Sequence, residues 1–245
     1  MPVPPARDLA TLVVVPGLGL DARSWSAVWP HLPWTSTVVT LPAMGRAAPA
    51  GLELGAEAQA ARLCARLPAG RPLVLAGHSA SCQVVVEVAA RDERVAGLVL
   101  VGPTTDPTQS SWPRTLTQWA RTARHERVWE PGILAPQYRR TGPVSMLRGM
   151  DRLLSHRVDH TLATLEPSAG VAVRVVRGEH DEISGSRWCA ALAAAGGGTV
   201  TTVADAAHMV PLTHPAALAA VVVDALTAAG APGRPTASGT TRAAR

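Results

Sequence analysis

Short apolar runs alternate with longer amphipathic stretches along most of this 245-residue chain. The apolar runs are rich in Val and Leu, and their short length fits buried strands better than helices. Strands are predicted at residues 11–15, 35–42, 71–77, 94–103, 171–178 and 198–204. Helix-length stretches follow most of them, at residues 22–32, 54–67, 80–92, 184–196 and 214–230. The alternation predicts an α/β fold in which a mostly parallel central sheet has helices on both faces.

The alternation breaks once, within residues 104–170, where no strand-like run occurs. Long insertions over the edge of a sheet often form lids, so we predict that these residues form a helical cap. A small packing domain without a role in the site is the alternative. Residues 1–103 and 171–229 then form the main domain. The aperiodic residues 230–245 are predicted to be a disordered tail.

Composition narrows the class of protein. Hydrophobic residues make up 47% of the chain and charged residues 17%, which fits one sizeable globular domain with a full core, or two small ones. No apolar run approaches the ~18 residues of a membrane span, and the first residues lack a signal-peptide pattern. We therefore expect a cytoplasmic protein that does not bind membranes. The three cysteines, Cys64, Cys82 and Cys189, match neither a disulfide framework nor a metal-site spacing.

The charges exclude further kinds of site. The net charge is +5, but acidic residues are interleaved with the arginines, so a nucleic-acid-binding surface is not expected. The chain contains no lysine, which excludes a Schiff-base lysine, a P-loop lysine and a Ser-Lys dyad.

A serine lies at a predicted strand-to-helix junction, in the sequence Gly77-His78-Ser79-Ala80-Ser81. In an open parallel sheet, ligands bind at the carboxyl edge, where such junctions lie. The small residues two positions before and after Ser79 suit a very sharp turn. A nucleophile turn reads Gly-x-Ser-x-Gly, and here Ser81 stands in place of the last glycine. A serine that only caps the helix is the alternative.

A nucleophilic serine needs a base, and the base needs an acid that orients it. Asp181 follows the fifth predicted strand and His208 follows the sixth. We expect Ser79, Asp181 and His208 at one sheet edge, as nucleophile, orienting acid and general base. Asp106 is the alternative acid. The alternative bases are His78, which strand alternation is expected to turn away from the serine, and His156, His180 and His214.

A glycine-rich loop, Pro16-Gly17-Leu18-Gly19, follows the first predicted strand. This loop can turn a backbone N–H towards the serine, and we assign that N–H to Leu18. Together with the N–H of Ala80 it would form a two-donor oxyanion hole, which stabilises the negative charge that develops during acyl transfer.

These stretches together resemble the α/β-hydrolase family over residues 11–229. The matching segments are VVVPGLGLDARSW, TLPAMGRA, LAGHSAS, LVLVGP, RGEHDEISG and AAHMVPLTHP. In the family they correspond to the oxyanion loop, a turn after the next strand, the nucleophile turn, the strand before the cap, the acid loop and the histidine loop. The chain departs from the family twice. It has Pro16-Gly17 where members usually have His-Gly, and it has Ser81 in the nucleophile turn.

The resemblance implies a serine hydrolase that cleaves an ester, lactone or thioester of a small apolar substrate through an acyl-enzyme. It implies a small-molecule substrate as the partner, and neither a cofactor nor a metal. Other members use the same residues for C–C bond hydrolysis, for cofactor-free haloperoxidation, or for cyclisation and elimination in natural-product pathways. A non-catalytic protein of this fold that binds a ligand is a further alternative.

Overall fold

The computed structural model describes residues 10–34, 36–70, 72–165 and 170–230. Its strands are β1 (Thr11–Val15), β2 (Thr37–Val38), β3 (Leu41–Pro42), β4 (Gly45–Arg46), β5 (Leu73–His78), β6 (Val95–Val101), β7 (Ala172–Gly178) and β8 (Thr199–Val203). The main sheet has the order β2-β1-β5-β6-β7-β8, and each neighbouring pair is parallel. The predicted parallel sheet is therefore confirmed.

Helices cover both faces of this sheet, as the sequence predicts. They are α1 (Ala56–Cys64), α2 (Ser81–Ala89), α3 (Trp112–Ala123), α4 (Glu130–Thr141), α5 (Pro143–Leu154), α6 (Val158–Ala163), α7 (Ser186–Ala195), α8 (Val210–Thr213) and α9 (Pro215–Ala229). Helices α1, α2 and α7 pack on one face, and α9 packs on the other. The result is a three-layer arrangement with the sheet in the middle.

Alternate side chains of the central strands enter two separate cores. In β1, Val13 and Val15 belong to the cluster that contains α1 and α2, whereas Leu12 and Val14 belong to the cluster that contains α9. Because both faces of β1, β5 and β6 are buried, these strands read as nearly continuous apolar runs in the sequence. The chain has no Phe, so Val, Leu and Ala provide most of this packing.

Two predicted elements near the amino terminus differ in the structure. Residues 22–32 form two short 3-10 turns, Ala22–Trp25 and Trp29–His31, instead of one helix. Asp21 caps the first turn by accepting the N–H of Arg23 at 3.0 Å, and Pro30 lies in the second turn. The predicted strand 35–42 is divided, because β2 joins the main sheet while β3 pairs with β4.

Between β6 and β7, the described residues 104–165 form one 3-10 turn (Pro107–Gln109) and helices α3 to α6. Side chains from α3, α4 and α5 line a cavity that also contacts Ser79, at the carboxyl end of β5. The assignment of residues 104–170 to a cap stays a prediction. Of the predicted tail, residues 231–245 lie outside the described residues. No described helix is both long and apolar enough to cross a membrane.

Candidate active site

Ser79 lies in the sharp turn between β5 and α2. Its φ of 56° places it in the left-handed region, which costs an L-residue roughly 1–2 kcal/mol. The N–H of Ser79 donates to the carbonyl of Val101 at 2.8 Å, so the turn is fixed to the end of β6. Strain that is held in place by surrounding structure is typical of functional sites.

Ser81 explains how the turn tolerates its departure from Gly-x-Ser-x-Gly. Its side chain is fully buried, and its hydroxyl accepts the N–H of His78 at 2.8 Å. The same hydroxyl lies 2.7 Å from the carbonyl of Val15, to which it donates. The extra hydroxyl therefore connects the turn to the last residue of β1, directly before the glycine-rich loop.

The glycine-rich loop passes close over the turn. A Cβ atom at Gly17 would lie 2.9 Å from Nδ1 of His78 and 3.3 Å from Cβ of Ser79, so a larger residue would push the loop away. Leu18, the next residue, lines the same cavity as Ser79. Among the described residues, neither the N–H of Leu18 nor that of Ala80 has a hydrogen-bond acceptor. Unpaired N–H donors near the serine are what an oxyanion hole requires.

Asp181 and His208 meet at the same edge of the sheet. Nδ1 of His208 donates to Oδ2 of Asp181 at 2.8 Å, and both side chains are buried. The other carboxylate oxygen of Asp181 accepts the N–H groups of Ile183 and Ser184, each at 3.0 Å. These bonds fix the carboxylate, and the carboxylate fixes the ring so that Nε2 carries the free lone pair.

The surroundings set the pKa values of this pair. Burial disfavours the charged form of Asp181, but the neighbouring His208 and two backbone N–H groups outweigh burial and lower the pKa of the carboxyl group. Burial also disfavours protonated His208, but the charge and the hydrogen bond of Asp181 outweigh it and raise the pKa of the imidazole. The pair is thus an ionised acid beside a strengthened base.

The other candidates lie in different contacts. Asp106 caps a 3-10 turn, where its carboxylate accepts the N–H of Thr108 at 2.8 Å. His156 bonds to Oε1 of Glu87 at 2.9 Å. His180 is stacked on His125 with ring centroids 4.4 Å apart, and His214 contacts the hydroxyl of Thr213 at 2.9 Å. Among the candidate acids and bases, Asp181 and His208 are therefore the two whose side chains the structure brings together.

The sequence-based expectation for His78 is wrong. Its ring does not point away from the site but lies 5.0 Å from the ring of His208, centroid to centroid. Its Nε2 donates to the backbone carbonyl of His208 at 3.1 Å, while Nδ1 is buried without a partner among the described residues. Burial and the neighbouring His208 lower the pKa of His78 to about 3, so the ring is neutral. The prediction from strand alternation failed because β5 ends at His78, and the sharp turn at Ser79 breaks the alternation between the two residues.

The cavity beside Ser79 and His208 has a volume of about 210 Å³ and an almost entirely apolar lining. Trp112, Trp119 and Met209 line it, whereas Trp129 does not and is 46% exposed. Residues that sequence reasoning missed complete the wall: Leu20, Leu116, Tyr138, Met146, Leu147 and Met150. The sequence signal that could have identified three of them is the spacing of Met146, Leu147 and Met150, which places them along one face of α5.

One cluster on the surface has the side chains of a metal site. Potential ligand atoms of Glu179, His180 and Asp205 lie within 4.8 Å of one another. The two carboxylate residues are exposed, and exposed acidic groups commonly cluster without a metal. We therefore assign no metal to them.

Comparison with known proteins identifies a family and several structures that are similar to this chain. The model of the alpha/beta hydrolase family matches residues 12–221. A hydrolase from Oleispira antarctica aligns with a TM-score of 0.71 at 12% identity, covering 88% of this chain and 91% of that chain. An esterase from Thermogutta terrifontis aligns with a TM-score of 0.66 at 20% identity, covering 91% of both chains. The enol-lactonase from Burkholderia xenovorans LB400 aligns with a TM-score of 0.65 at 20% identity, covering 89% and 91%.

A comparison with curated proteins found no match. At 12–20% identity, the structural similarities show a shared fold alone. The match to the family model covers most of the described chain, from within β1 to within α9. The chain therefore belongs to the alpha/beta hydrolase family, and it is an enzyme of the hydrolase class.

Proposed function

We propose that this protein hydrolyses a carboxylic ester, lactone or thioester through a Ser79–His208–Asp181 triad and an acyl-enzyme. The observation that carries the proposal is the 2.8 Å bond between His208 and Asp181, beside the cavity that Ser79 and His208 share. A buried acid that orients a histidine next to a strained serine is the arrangement that activates a hydroxyl group.

In the first half of the reaction, Oγ of Ser79 attacks the substrate carbonyl carbon and its proton passes to Nε2 of His208. The N–H groups of Leu18 and Ala80 donate to the oxyanion of the tetrahedral intermediate. The bond to the leaving group then breaks, and His208 gives its proton to the departing oxygen or sulfur. Asp181 stays ionised and stabilises the imidazolium throughout.

In the second half, water attacks the acyl carbon and passes a proton to His208. The bond between the acyl carbon and Oγ breaks, the carboxylic acid leaves, and His208 returns the proton to Ser79. These steps use only side chains and backbone groups of this chain. We propose that they act on a small molecule in the cytoplasm.

The cavity supports an apolar substrate. Its wall is formed mainly by Leu, Met and Trp side chains from the main domain and from α3 to α5. Burying each methylene group of a ligand there contributes roughly 0.8 kcal/mol. The similarity to an esterase and an enol-lactonase fits this substrate class.

Labelling with a fluorophosphonate probe tests the proposal, together with turnover of a series of 4-nitrophenyl esters. We expect the label on the peptide that contains Ser79, and its loss in Ser79→Ala and His208→Ala. Ser26→Ala, which changes an exposed serine outside the site, is the matched control and should keep both labelling and turnover. Full turnover by Ser79→Ala would refute the triad. A folded wild type that neither labels nor hydrolyses any ester would support the ligand-binding alternative.

A further inference from the structure

A second, smaller cavity adjoins the apolar one at the nucleophile. It has a volume of about 20 Å³, which is room for about one water-sized group. Ser79, Thr115, Trp119 and Met150 line both cavities. The remaining lining residues of the small cavity are Thr104, Thr105, Gln118 and Ile183. A substrate held at Ser79 can therefore extend in two directions, into spaces of very different size.

Two hydroxyl groups at the small cavity lack a partner among the described residues. Thr104 is 4% exposed and Thr115 is 6% exposed, yet Oγ1 of neither forms a hydrogen bond. Helix α3, which carries Thr115, also carries Thr117 on its exposed side. The hydroxyl of Thr117 is paired in the usual way for a helix, since it donates to the carbonyl of Pro113 at 2.8 Å. Buried polar groups are nearly always paired with protein, water or a ligand, so the hydroxyls of Thr104 and Thr115 are available to pair with a polar group of a bound substrate.

The lining also restricts the charge of that ligand. None of the described residues that line the small cavity carries a charge. A charged group would lose its hydration there without a counter-ion, at a large cost in free energy. A hydroxyl or carbonyl oxygen suits the site, since a threonine hydroxyl can both donate and accept.

The position of His208 assigns each cavity to one side of the scissile bond. His208 must reach the leaving group to protonate it, and it lines the large cavity but is not among the residues that line the small one. The leaving alcohol therefore belongs in the large apolar cavity. The small cavity is left for the acyl side of the bond, and it has room for about one oxygen on carbon 2 and none for a long acyl chain.

We propose that the enzyme prefers esters of a short 2-hydroxy or 2-oxo acid with a larger apolar alcohol. The oxygen on carbon 2 of the acyl group pairs with the hydroxyls of Thr104 and Thr115. This proposal rests on the proposed hydrolase function and adds a substrate class to it. Thr104 and Thr115 are specificity-determining residues in this view, and they take no part in proton transfer.

Benzyl lactate and benzyl propanoate provide the test, because the two esters differ by one hydroxyl on carbon 2. The quantity to measure is the ratio of their kcat/KM values, divided by the ratio of their rates of alkaline hydrolysis. The variants are Thr115→Val and Thr104→Val, which remove a hydroxyl at nearly constant volume, and Thr115→Ser, which keeps one. Thr117→Val is the control on the exposed side of α3.

We expect the wild-type ratio to favour the lactate ester and to fall at least about tenfold in Thr115→Val or Thr104→Val, because a site built to pair a hydroxyl discriminates strongly against its absence. Thr115→Ser and Thr117→Val should keep the ratio. Hydrolysis of benzyl propanoate without a preference for lactate would overturn the subsite and leave the hydrolase function intact. An equal loss for both esters would also overturn it, since that result indicates a role in folding or in holding the attacking water. If neither ester nor the fluorophosphonate probe reacts, the proposed function itself fails.

Discussion

Two imidazole rings lie 5.0 Å apart in the site, and their surroundings move their pKa values in opposite directions. Burial and the neighbouring His208 lower the pKa of His78 to about 3, since no acid is bonded to the His78 ring. The bonded carboxylate of Asp181 raises the pKa of His208 despite equal burial. The hydrogen bond to Asp181 is therefore the contact that distinguishes the two rings. With it, His208 can accept a proton near neutral pH, whereas His78 stays neutral.

The pH profile of turnover should report this contact. His208 must be neutral to accept a proton, and its pKa lies above the ordinary 6.5, so kcat/KM should rise with pH through a midpoint above 6.5. Asp181→Asn removes the charge that raises the pKa, so the midpoint should move to lower pH. Turnover should fall about 10⁴-fold, because an amide that donates to Nδ1 holds the ring in the tautomer whose Nε2 is protonated. A profile of Asp181→Asn identical to that of wild type would contradict the assignment.

Ser81 is expected to contribute to stability and to the shape of the site. Ser81→Ala leaves the buried N–H of His78 without its acceptor, which should lower the free energy of unfolding by about 1–3 kcal/mol. Urea denaturation of Ser81→Ala and of the exposed control Ser26→Ala measures the difference; the control should stay within about 0.5 kcal/mol of wild type. Equal stability of the two variants would show that these bonds contribute nothing.

At the scale of elements, strands β1, β5 and β6 were predictable because burial on both faces leaves a nearly continuous apolar run. Strand β7, which contains two arginines, and the largely exposed edge strand β8 were predictable from their β-branched residues. The two short turns of segment 22–32 were not predictable, because its apolar spacing fits one helix. In the structure, the Asp21 cap and Pro30 divide the segment into two turns. Asp181 and His208 were predictable from their places after strands. The ring position of His78 and the small cavity depend on tertiary contacts that no local pattern encodes.

The end of β7 and the loop that carries His208 are in direct contact. A Cβ atom at Gly178 would lie 2.1 Å from the carbonyl oxygen of Ala207 and 2.5 Å from that of Ala206. Backbone cannot yield as a side chain does, so Gly178→Ala should displace the loop, lower the free energy of unfolding by more than about 3 kcal/mol and abolish turnover. The measurements are denaturation and ester turnover.

Gly132→Ala is the matched control for this substitution. Gly132 lies within α4, and no atom lies within 4 Å of an added Cβ there. Alanine favours helix more than glycine does, so this variant should gain about 0.5–1 kcal/mol with turnover unchanged. A Gly178→Ala enzyme as stable and active as Gly132→Ala would contradict the close contact between β7 and the histidine loop.

For the whole molecule, the structure couples the stability of the insertion to pH through Glu130. This residue opens α4 and is fully buried; its Oε1 accepts the N–H of Arg127 at 2.6 Å, while Oε2 has no partner among the described residues. Burial and the charge of Glu126 raise its pKa to about 7, although Arg127 opposes the shift. Glu130 in turn contributes to the raised pKa of His208, so the acid lies within electrostatic reach of the base.

The sign of the pH effect follows from the two states of the protein. The unfolded carboxyl group has an ordinary pKa near 4.5, below the folded value of about 7, so the folded state is disfavoured as pH rises between these values. Glu130→Gln removes this titration. The free energy of unfolding of the variant minus that of wild type should therefore be larger at pH 8 than at pH 5, by on the order of 2 kcal/mol.

Any cost of burying the new amide is the same at both pH values and cancels in this comparison. Chemical denaturation at pH 5 and pH 8 measures the effect, and Glu93→Gln, which changes an exposed carboxylate, is the control with an expected difference near zero. The variant should also move the midpoint of the kcat/KM profile to lower pH, because one of the charges that raise the pKa of His208 is gone. A pH-independent difference in stability would show that Glu130 does not titrate with folding, and an unmoved midpoint would show that the insertion does not tune the base.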